Sequence, residues 1–222
     1  MSRPRRRMPR EQRRATLIDA AREEVLANGY GELTMERVAQ RAGVSRTLVY
    51  DHFANRSDLF LAVLGEEHVR LMAAVAPAVA HGDRETRVRA GVHAFLTVAD
   101  AYGGGGFAEL FRNPVAHAPE LAAEVGRIRD GLADLVASVI AGESGQPVEA
   151  GMLTAHAIVG AMEEAAVWFA RTPTDQRPAI DVAAPMLAKL VWQGLEGVAA
   201  ALEGGRAPSA TQSPPRAGSS AG

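Results

Sequence analysis

Apolar residues recur every three or four positions along most of the chain, which is the period of helices with one buried face. The first such stripe ends at Asn28 and Gly29, and its members are Leu17, Ile18, Ala21, Val25 and Leu26. Similar periodicity predicts further helices over 55–77, 83–101, 107–112, 119–142, 148–171 and 178–202. Runs of strand-forming residues are few. The pattern therefore predicts an all-α fold.

Residues 34–60 divide this pattern into two short helices separated by a tight bend. Thr34 can cap the first helix, and Gly43 can end it because glycine adopts left-handed backbone angles without strain. Ser45 can cap the second helix, and the small Ala39 allows the two helices to cross closely. The residues expected to face inward are Met35, Val38, Ala39, Ala42 and Val44. This spacing predicts a helix-turn-helix.

The second of these helices exposes side chains that can read DNA. With Phe53 and either Leu48 or Val49 buried, its outer face carries Arg46, Thr47 and Tyr50. An arginine can donate two hydrogen bonds to guanine, while a threonine methyl or a tyrosine ring can contact a thymine methyl. The alternative is an ordinary cluster of three helices whose charges are merely solvated.

A third helix start follows directly. Asn55 and Asp58 have the spacing of a capping box at the beginning of a long helix, and Arg56 beside them places a cation where a DNA phosphate can lie. This helix links the predicted reading unit to the rest of the chain. A shift near residues 71–75 would therefore move Arg56, and an effector that binds one arrangement more tightly could release DNA.

Positive charge is concentrated at the N-terminus. Residues 1–60 carry 12 Arg against 8 acidic residues, or +4, so the remaining residues carry −6 of the total of −2. An arginine-rich arm can lie along a minor groove and gain affinity by releasing counterions. We assign this role to Arg3, Arg5, Arg6 and Arg7. The alternative is a disordered, solubilising tail; a secretory signal is not expected, because no apolar segment follows the arginines.

The run AGVSRTLVYDHFANRSDLF at 42–60 resembles the recognition segment of TetR-type transcriptional repressors, and the resemblance extends over about residues 12–60. It implies that Arg46, Thr47 and Tyr50 face bases. It also implies phosphate contacts by Thr34, His52 and Arg56, and we include Ser45 in the DNA-binding set.

Two residues depart from that family pattern. Leu48 stands where the family often has threonine or serine, which removes a possible phosphate contact. Asp51 places a carboxylate on the recognition helix, where it could accept from a cytosine amine, pair with an arginine or point to solvent.

The last two long helices contain several small residues, and the glycines among them weaken a helix unless close packing offsets their cost. The small residues are Gly151, Ala155, Gly160, Gly194 and Gly197. The resemblance implies that such helices form a four-helix bundle with a second subunit. A two-fold homodimer would place two recognition helices ~34 Å apart on a pseudo-palindromic operator. The alternative is that the glycines pack only within one subunit.

The resemblance also implies a ligand pocket among the central helices, suited to a small lipophilic effector. Our candidate lining residues are Phe95, Tyr102, Phe107, Phe111, His156, Glu163 and Trp168. The alternative for the aromatic residues is ordinary core packing. His156 and Glu163 share one helical face, where they could orient a ligand or bond each other.

We expect a repressor, with a basic arm at 1–11, a DNA-binding domain at 12–56, an effector-binding and dimerisation domain at 57–204 and a disordered tail at 205–222. A ligand-independent regulator or an activator with the same DNA-binding unit stays open. An enzyme is not expected, because Glu-x-x-His pairs, His-Glu-x-x-His and a phosphate-binding loop are absent. Without cysteine, disulfides and thiolate metal sites are excluded. We expect no cofactor, no membrane span and a cytoplasmic location.

Overall fold

The computed structural model describes residues 9–103, 106–111, 121–144 and 148–204, and these residues are helical apart from short connections. The helices are α1 Arg10–Asn28, α2 Met35–Ala42, α3 Arg46–Tyr50, α4 Arg56–Ala78, α5 Arg84–Ala101, α6 Gly106–Phe111, α7 Ala122–Ser144, α8 Val148–Arg171 and α9 Ile180–Gly204. Short 3₁₀ turns cover Tyr30–Glu32 and Thr174–Gln176. The all-α prediction is confirmed. Arg3, Arg5, Arg6 and Arg7 and the predicted tail at 205–222 lie outside the described residues.

The helix limits agree closely with the periodicity: α8 has the predicted bounds, and α5 begins directly after its predicted cap, Asp83. Helices α6 and α9 are shifted by one or two residues, to Gly106–Phe111 and Ile180–Gly204. Helix α1 begins at Arg10, inside the segment assigned to the arm, because Pro9 before it has a backbone angle that suits a helix start. Helix α4 ends at Ala78, one residue beyond the predicted limit, with Pro77 in its last turn. The predicted start of α7 at 119 lies outside the described residues.

Helices α1, α2 and α3 form a small unit, which we call the head, closed by the start of α4. Its centre contains Leu17, Ile18, Ala21, Val38, Val49 and Phe53, all buried. Helices α5 to α9 form a larger body in which α7 packs on α8 and α9 packs on α5. Helix α4 contacts α1 in the head and α5 and α7 in the body, so it belongs to both. None of the described helices is both long enough and apolar enough to span a bilayer.

A buried carboxylate fixes the head internally. Glu24 of α1 is 3% exposed and accepts hydrogen bonds from Arg37 Nη1 at 2.9 Å and from Arg41 Nη2 at 2.7 Å, both on α2. Asn28 Nδ2 donates a further bond at 2.8 Å. Burial raises the pKa of the Glu24 carboxyl, but these hydrogen bonds outweigh it and hold the pKa below the ordinary value of 4.5. The ionised carboxylate therefore joins α1 to α2.

A second buried carboxylate, Glu67 of α4, lies where the head meets the body. It is fully buried and accepts from Arg22 Nε of α1 at 2.7 Å. Arg70 and the hydroxyl of Tyr102, which follows α5, also donate to it. Elsewhere in the body, Arg177 Nη2 bonds Asp100 Oδ1 at 2.5 Å and its guanidinium lies 4.0 Å from the Phe169 ring centre.

Replacing Glu24 with glutamine is expected to lower the free energy of unfolding by about 2 kcal/mol, because an amide cannot satisfy two arginines that face a buried position. Urea unfolding at neutral pH measures the loss. Glu23→Gln is the control, since that neighbouring carboxylate is 61% exposed and lies 3.6 Å from Arg41. The control should change stability by less than ~0.5 kcal/mol.

The difference in stability between the native protein and Glu24→Gln should depend on pH. Because the pKa of Glu24 is lowered by folding, its contribution is present above the unfolded value of 4.5 and is lost as the pH falls through the folded pKa. The stability difference between the native protein and Glu24→Gln should therefore shrink below pH 4.5. A difference that stays constant down to acid unfolding would contradict this assignment.

Candidate nucleic-acid interface and body cavity

The turn between α2 and α3 is built by local caps. Thr34 Oγ1 accepts the Arg37 N–H at 3.2 Å, and Ser45 Oγ accepts the Leu48 N–H at 3.3 Å. Gly43 has φ +66°, the left-handed region that favours glycine, and ends α2. Val49 and Phe53 are buried under α3, while Leu48 is only partly buried. Burial of Val49 fixes which face of α3 points outward.

The outward face of α3 carries the predicted reading residues. Arg46 and Thr47 are exposed, and Tyr50 is 44% exposed despite its large apolar ring. Arg46 Nη2 donates to Tyr50 Oη at 3.2 Å and its guanidinium lies 5.3 Å from the Tyr50 ring centre. The side chains therefore form one continuous polar and aromatic surface. Asp51, at the C-terminal end of α3, is exposed.

Arg46 also has an acidic neighbour that the sequence analysis did not identify. Glu36 of α2 lies 2.5 Å from Arg46 Nη1, and both side chains are more than half exposed. The hydrogen bond with Tyr50 and the negative charge of Glu36 raise the pKa of Arg46, so its charge is secure. To contact a base, Arg46 must leave Glu36, and the weakness of exposed ion pairs keeps that cost small.

A basic surface adjoins α3. Burial lowers the pKa of His52 below its ordinary 6.5, and the charges of Arg10 and Arg13 on α1 lower it further. Arg14 places its guanidinium 4.8 Å from the Phe53 ring centre. From the sequence, these three arginines were only part of the positive charge near the N-terminus. In the structure, the first turns of α1 bring them beside the predicted phosphate ligand His52. The imidazole is neutral at neutral pH and can gain a proton when an anion approaches.

The start of α4 forms the other side of this surface. Asn55 Oδ1 accepts the Asp58 N–H at 2.9 Å, as the capping box requires. The return bond differs, because Asp58 Oδ2 accepts from the N–H of Ala54 rather than from that of Asn55. Arg56 stacks over the Tyr30 ring at 4.7 Å, which holds its guanidinium at the edge of the head. The structure thus exposes Arg46, Thr47 and Tyr50 on α3 and places Arg56 in the first turn of α4.

The body contains a partly open cavity of about 90 Å³. Aliphatic side chains of five helices form its walls, and Arg87 is the only polar residue among the described lining residues. Its Nε donates to the carbonyl of Val79 at 2.7 Å, which occupies one of the five N–H donors of the guanidinium. Wall residues include Val75, Val79, Phe95, Val136, Met162 and Val191. The described walls therefore offer mainly apolar contact, with Arg87 as their polar group.

The seven predicted effector contacts do not converge on this cavity. Phe95 lines it, whereas Tyr102 bonds Glu67 and Trp168 is 54% exposed on α8. His156 and Glu163 do not bond each other, because α7 supplies a separate partner for each of them. His156 Nε2 lies 3.7 Å from Asp130, and Arg129 Nε lies 3.0 Å from both carboxylate oxygens of Glu163. The side chains of Phe107 and Phe111 lie outside the described part of α6.

Sequence reasoning missed the cavity walls because it searched for aromatic and polar-tipped residues. The valines and leucines that line the space have the same spacing as ordinary core residues, so periodicity alone does not separate the two roles. In the part of the chain that the structure describes, no three His, Asp or Glu side chains converge as metal ligands would.

Comparison with known proteins relates the head to a described protein family. Residues 17–63 match the family of bacterial regulatory proteins described as tetR family. The chain is 30% identical over 195 residues to the HTH-type transcriptional activator FasR of Mycolicibacterium smegmatis, which covers 86% of this chain and 87% of that protein. It is 33% identical over 64 residues to the HTH-type transcriptional repressor AcnR of Corynebacterium diphtheriae, covering 29% of this chain and 34% of that one.

Solved structures extend the likeness to the body. A TetR-like transcriptional regulator from Rhodococcus sp. RHA1 has a TM-score of 0.69 at 28% identity, covering 86% of this chain and all of that one. The regulator FadR of Bacillus subtilis, solved in complex with stearoyl-CoA, has a TM-score of 0.66 at 19% identity over 81% of this chain and 98% of that one. At 19% identity, the likeness to FadR is one of fold alone.

The position of His52 gives a direct test of the basic surface. Arg13→Gln should raise the pKa of His52 towards 6.5, because one of the positive charges that lower it is removed. NMR titration of the imidazole measures this, with Arg89→Gln on the exposed face of the body as control.

Duplex DNA should also raise the pKa of His52, because a bound phosphate stabilises the imidazolium. No change on saturation with DNA would place His52 away from the phosphates.

Proposed function

The chain belongs to the tetR family of bacterial regulatory proteins, and from that premise we propose that this DNA-binding transcriptional regulator reads a pseudo-palindromic operator as a homodimer, represses transcription, and is released by a small lipophilic effector. The observation that carries the proposal is the exposed cluster of Arg46, Thr47 and Tyr50 on a helix fixed by the Gly43 turn and the Ser45 cap. A guanidinium, a methyl and an aromatic ring on one face suit the major groove.

Phosphate contacts would position this helix. We assign them to Thr34, Ser45, His52 and Arg56, and we add Arg10, Arg13 and Arg14 of α1 because of their closeness to His52. The N-terminal arm with Arg3, Arg5, Arg6 and Arg7 would then continue from α1 along the DNA. Phosphate contacts add affinity without sequence information, so specificity rests on α3.

The homodimer is supported by an unusual apolar surface on the last two helices. Leu153 of α8 and Val182, Met186 and Leu190 of α9 are between 55% and 82% exposed in the single chain. A Cβ added at Gly151, Gly160 or Gly194 would meet no described atom within 4 Å. These glycines therefore face open space within one subunit, which leaves room for close approach by a second copy.

The walls of the cavity support the proposed class of effector. Its aliphatic walls favour a hydrocarbon chain over a polar molecule, in keeping with the lipophilic class expected from the sequence. We assign the body at 57–204 to effector binding and dimerisation, and the unit at 12–56 to DNA binding. Because α4 runs between them, a molecule that separates the cavity walls can change the position of the head.

Activation is the second candidate, and a specific observation favours it. FasR, which is similar over most of this chain, is a transcriptional activator, whereas the similarity to the repressor AcnR covers 29% of the chain. The operator-reading step is the same for both signs of regulation. Transcription in vitro from a promoter that carries the selected operator decides between them: repression lowers the transcript and activation raises it.

Selection of random duplexes on the native protein should recover one palindrome, and Arg46→Ala should weaken binding to it by roughly 10- to 100-fold, because a bidentate contact with guanine is lost. Binding to unrelated DNA should change little. Arg89→Ala, an exposed arginine of the body, is the control. Equal loss of specific and unrelated binding in Arg46→Ala would show that this residue is not a base reader.

Two charges on the apolar surface should prevent dimerisation. Met186→Glu with Leu190→Glu places carboxylates at positions that are 64% and 67% exposed in the single chain and buried in the proposed dimer. Analytical ultracentrifugation should find this variant monomeric. Val69→Glu, at an equally exposed aliphatic residue of α4, should stay dimeric. A double variant that dimerises as well as the control would remove α9 from the interface.

A larger side chain in the cavity wall should abolish the response to effector and leave DNA binding intact. Val136→Phe is expected to keep operator affinity and to lose release by saturated fatty acids of graded chain length, because the ring occupies part of the 90 Å³ space. Fluorescence anisotropy with labelled operator measures both properties, and Val69→Phe serves as the exposed control. Simultaneous loss of operator binding and response would count against two separable states.

A further inference from the structure

One face of α4 connects the cavity to the head. Glu67, Leu71 and Val75 follow one another at successive turns of α4, Val79 caps its C-terminal end, and all four are buried. Val75 and Val79 form part of the cavity wall, while Glu67 contacts Arg22 of the head. The four residues therefore form one rigid stripe, whose two ends touch different parts of the molecule.

Helix α5 approaches the same point from the other side of the cavity. Val88, Val92 and Phe95 line the space, and Tyr102 follows the last turn of the helix. The Tyr102 hydroxyl donates to Glu67, and the Arg22 guanidinium lies 5.4 Å from the Tyr102 ring centre. Thus α4 and α5, which are two walls of one cavity, both contact Arg22 of α1 at this point. We call Arg22, Glu67 and Tyr102 the junction.

The chemistry of the junction makes it rigid. Glu67 is fully buried, so its carboxylate depends on the donors around it. Burial raises the pKa of Tyr102, and its bond with Glu67 raises it further, so the phenol keeps the proton that it donates. Arg70 also pairs with Asp19 of α1 at 3.2 Å, but there both side chains are about half exposed. The buried contacts therefore provide the specific geometry.

An occupant of the cavity must separate its walls. The space is about 90 Å³, whereas pockets for drug-sized ligands span roughly 300–1,000 Å³. At Gly91 the walls already lie close, because a Cβ there would be 2.7 Å from Val79 Cγ1. Separation of α4 from α5 near Gly91 changes their arrangement at Glu67 and Tyr102 as well, since helices are stiff over these few turns.

We propose that Arg22, Glu67 and Tyr102 are positioning residues that set the angle between head and body and transmit separation of the cavity walls to α1. Tyr102 is thereby reassigned from effector contact to this junction. The proposal rests on the effector response proposed above, which it deepens by naming the contacts through which the response passes. None of the three residues is assigned to base reading or to the cavity wall.

The geometry can be measured directly by pulsed electron paramagnetic resonance. The chain has no cysteine, so Gln40→Cys on α2 and Glu85→Cys on α5, both exposed, provide one spin-label pair across head and body. Excess unlabelled subunits keep the measured pair within one chain. The native protein should give one narrow distance distribution, without DNA or effector.

Tyr102→Phe removes the donor and keeps the ring; it should broaden the distribution and weaken operator binding roughly tenfold. Asp100→Asn, which breaks a pair contained within the body, is the control and should leave the distance unchanged. Glu67→Gln is the second variant, for use if Tyr102→Phe fails to fold as judged by circular dichroism. A folded variant with the native distance distribution would overturn the positioning role.

Gly91→Ala tests transmission without any ligand, because the added methyl acts as a wedge between α5 and Val79. It should shift the distance in the native background and have little effect in Tyr102→Phe, as a double-mutant cycle measures. An equal shift in both backgrounds, or no shift in the native one, would overturn transmission through the junction. Failure of the native protein to select an operator would contradict the proposed function instead, while the distances would still decide the positioning role.

Discussion

The fully buried carboxylate of Glu67 lies at the centre of the contact between head and body, where α6 also packs on α1. A charge without water must be paired, so Arg22 and Tyr102 have little freedom to lie elsewhere. Because Glu67 belongs to α4, the same contact fixes the helix that begins with Arg56 at the head and passes the cavity at Val75. One interaction thus relates the surface proposed to bind DNA to the space proposed to bind an effector.

Within the head, stability and the proposed recognition of DNA rest on different residues. Glu24, Val49 and Phe53 are buried and hold the three helices together, whereas Arg46 and Thr47 project into solvent. Recognition residues with few structural contacts can change without unfolding the head. Glu36 belongs to neither group, since its exposed pair with Arg46 would compete with the proposed base contact for one guanidinium.

The sequence predicted the head well because its determinants are local. The Thr34 cap, the left-handed Gly43 and the Ser45 cap each act within a few residues, and all three have the predicted geometry. The buried carboxylates were not predicted, because their partners are distant in sequence: Arg37 is 13 positions from Glu24, and Arg22 is 45 from Glu67. Local patterns do not specify such pairs.

The cavity was not predicted, for a different reason. Its wall consists of residue types that also fill ordinary cores, and whether they close completely depends on the angles between five helices. The prediction of a dimer through α8 and α9 came from glycines, and the exposed Met186 and Leu190 add a second reason that emerges only once the helix faces are known.

The measurement that tests the central claim most directly is hydroxyl-radical footprinting of the native protein on a selected duplex. A two-fold dimer that reads DNA through α3 predicts two protected segments on one face of the duplex, centred about 10 base pairs, one helical turn, apart. A single protected segment, or uniform protection along the duplex, would contradict a paired reading of the operator.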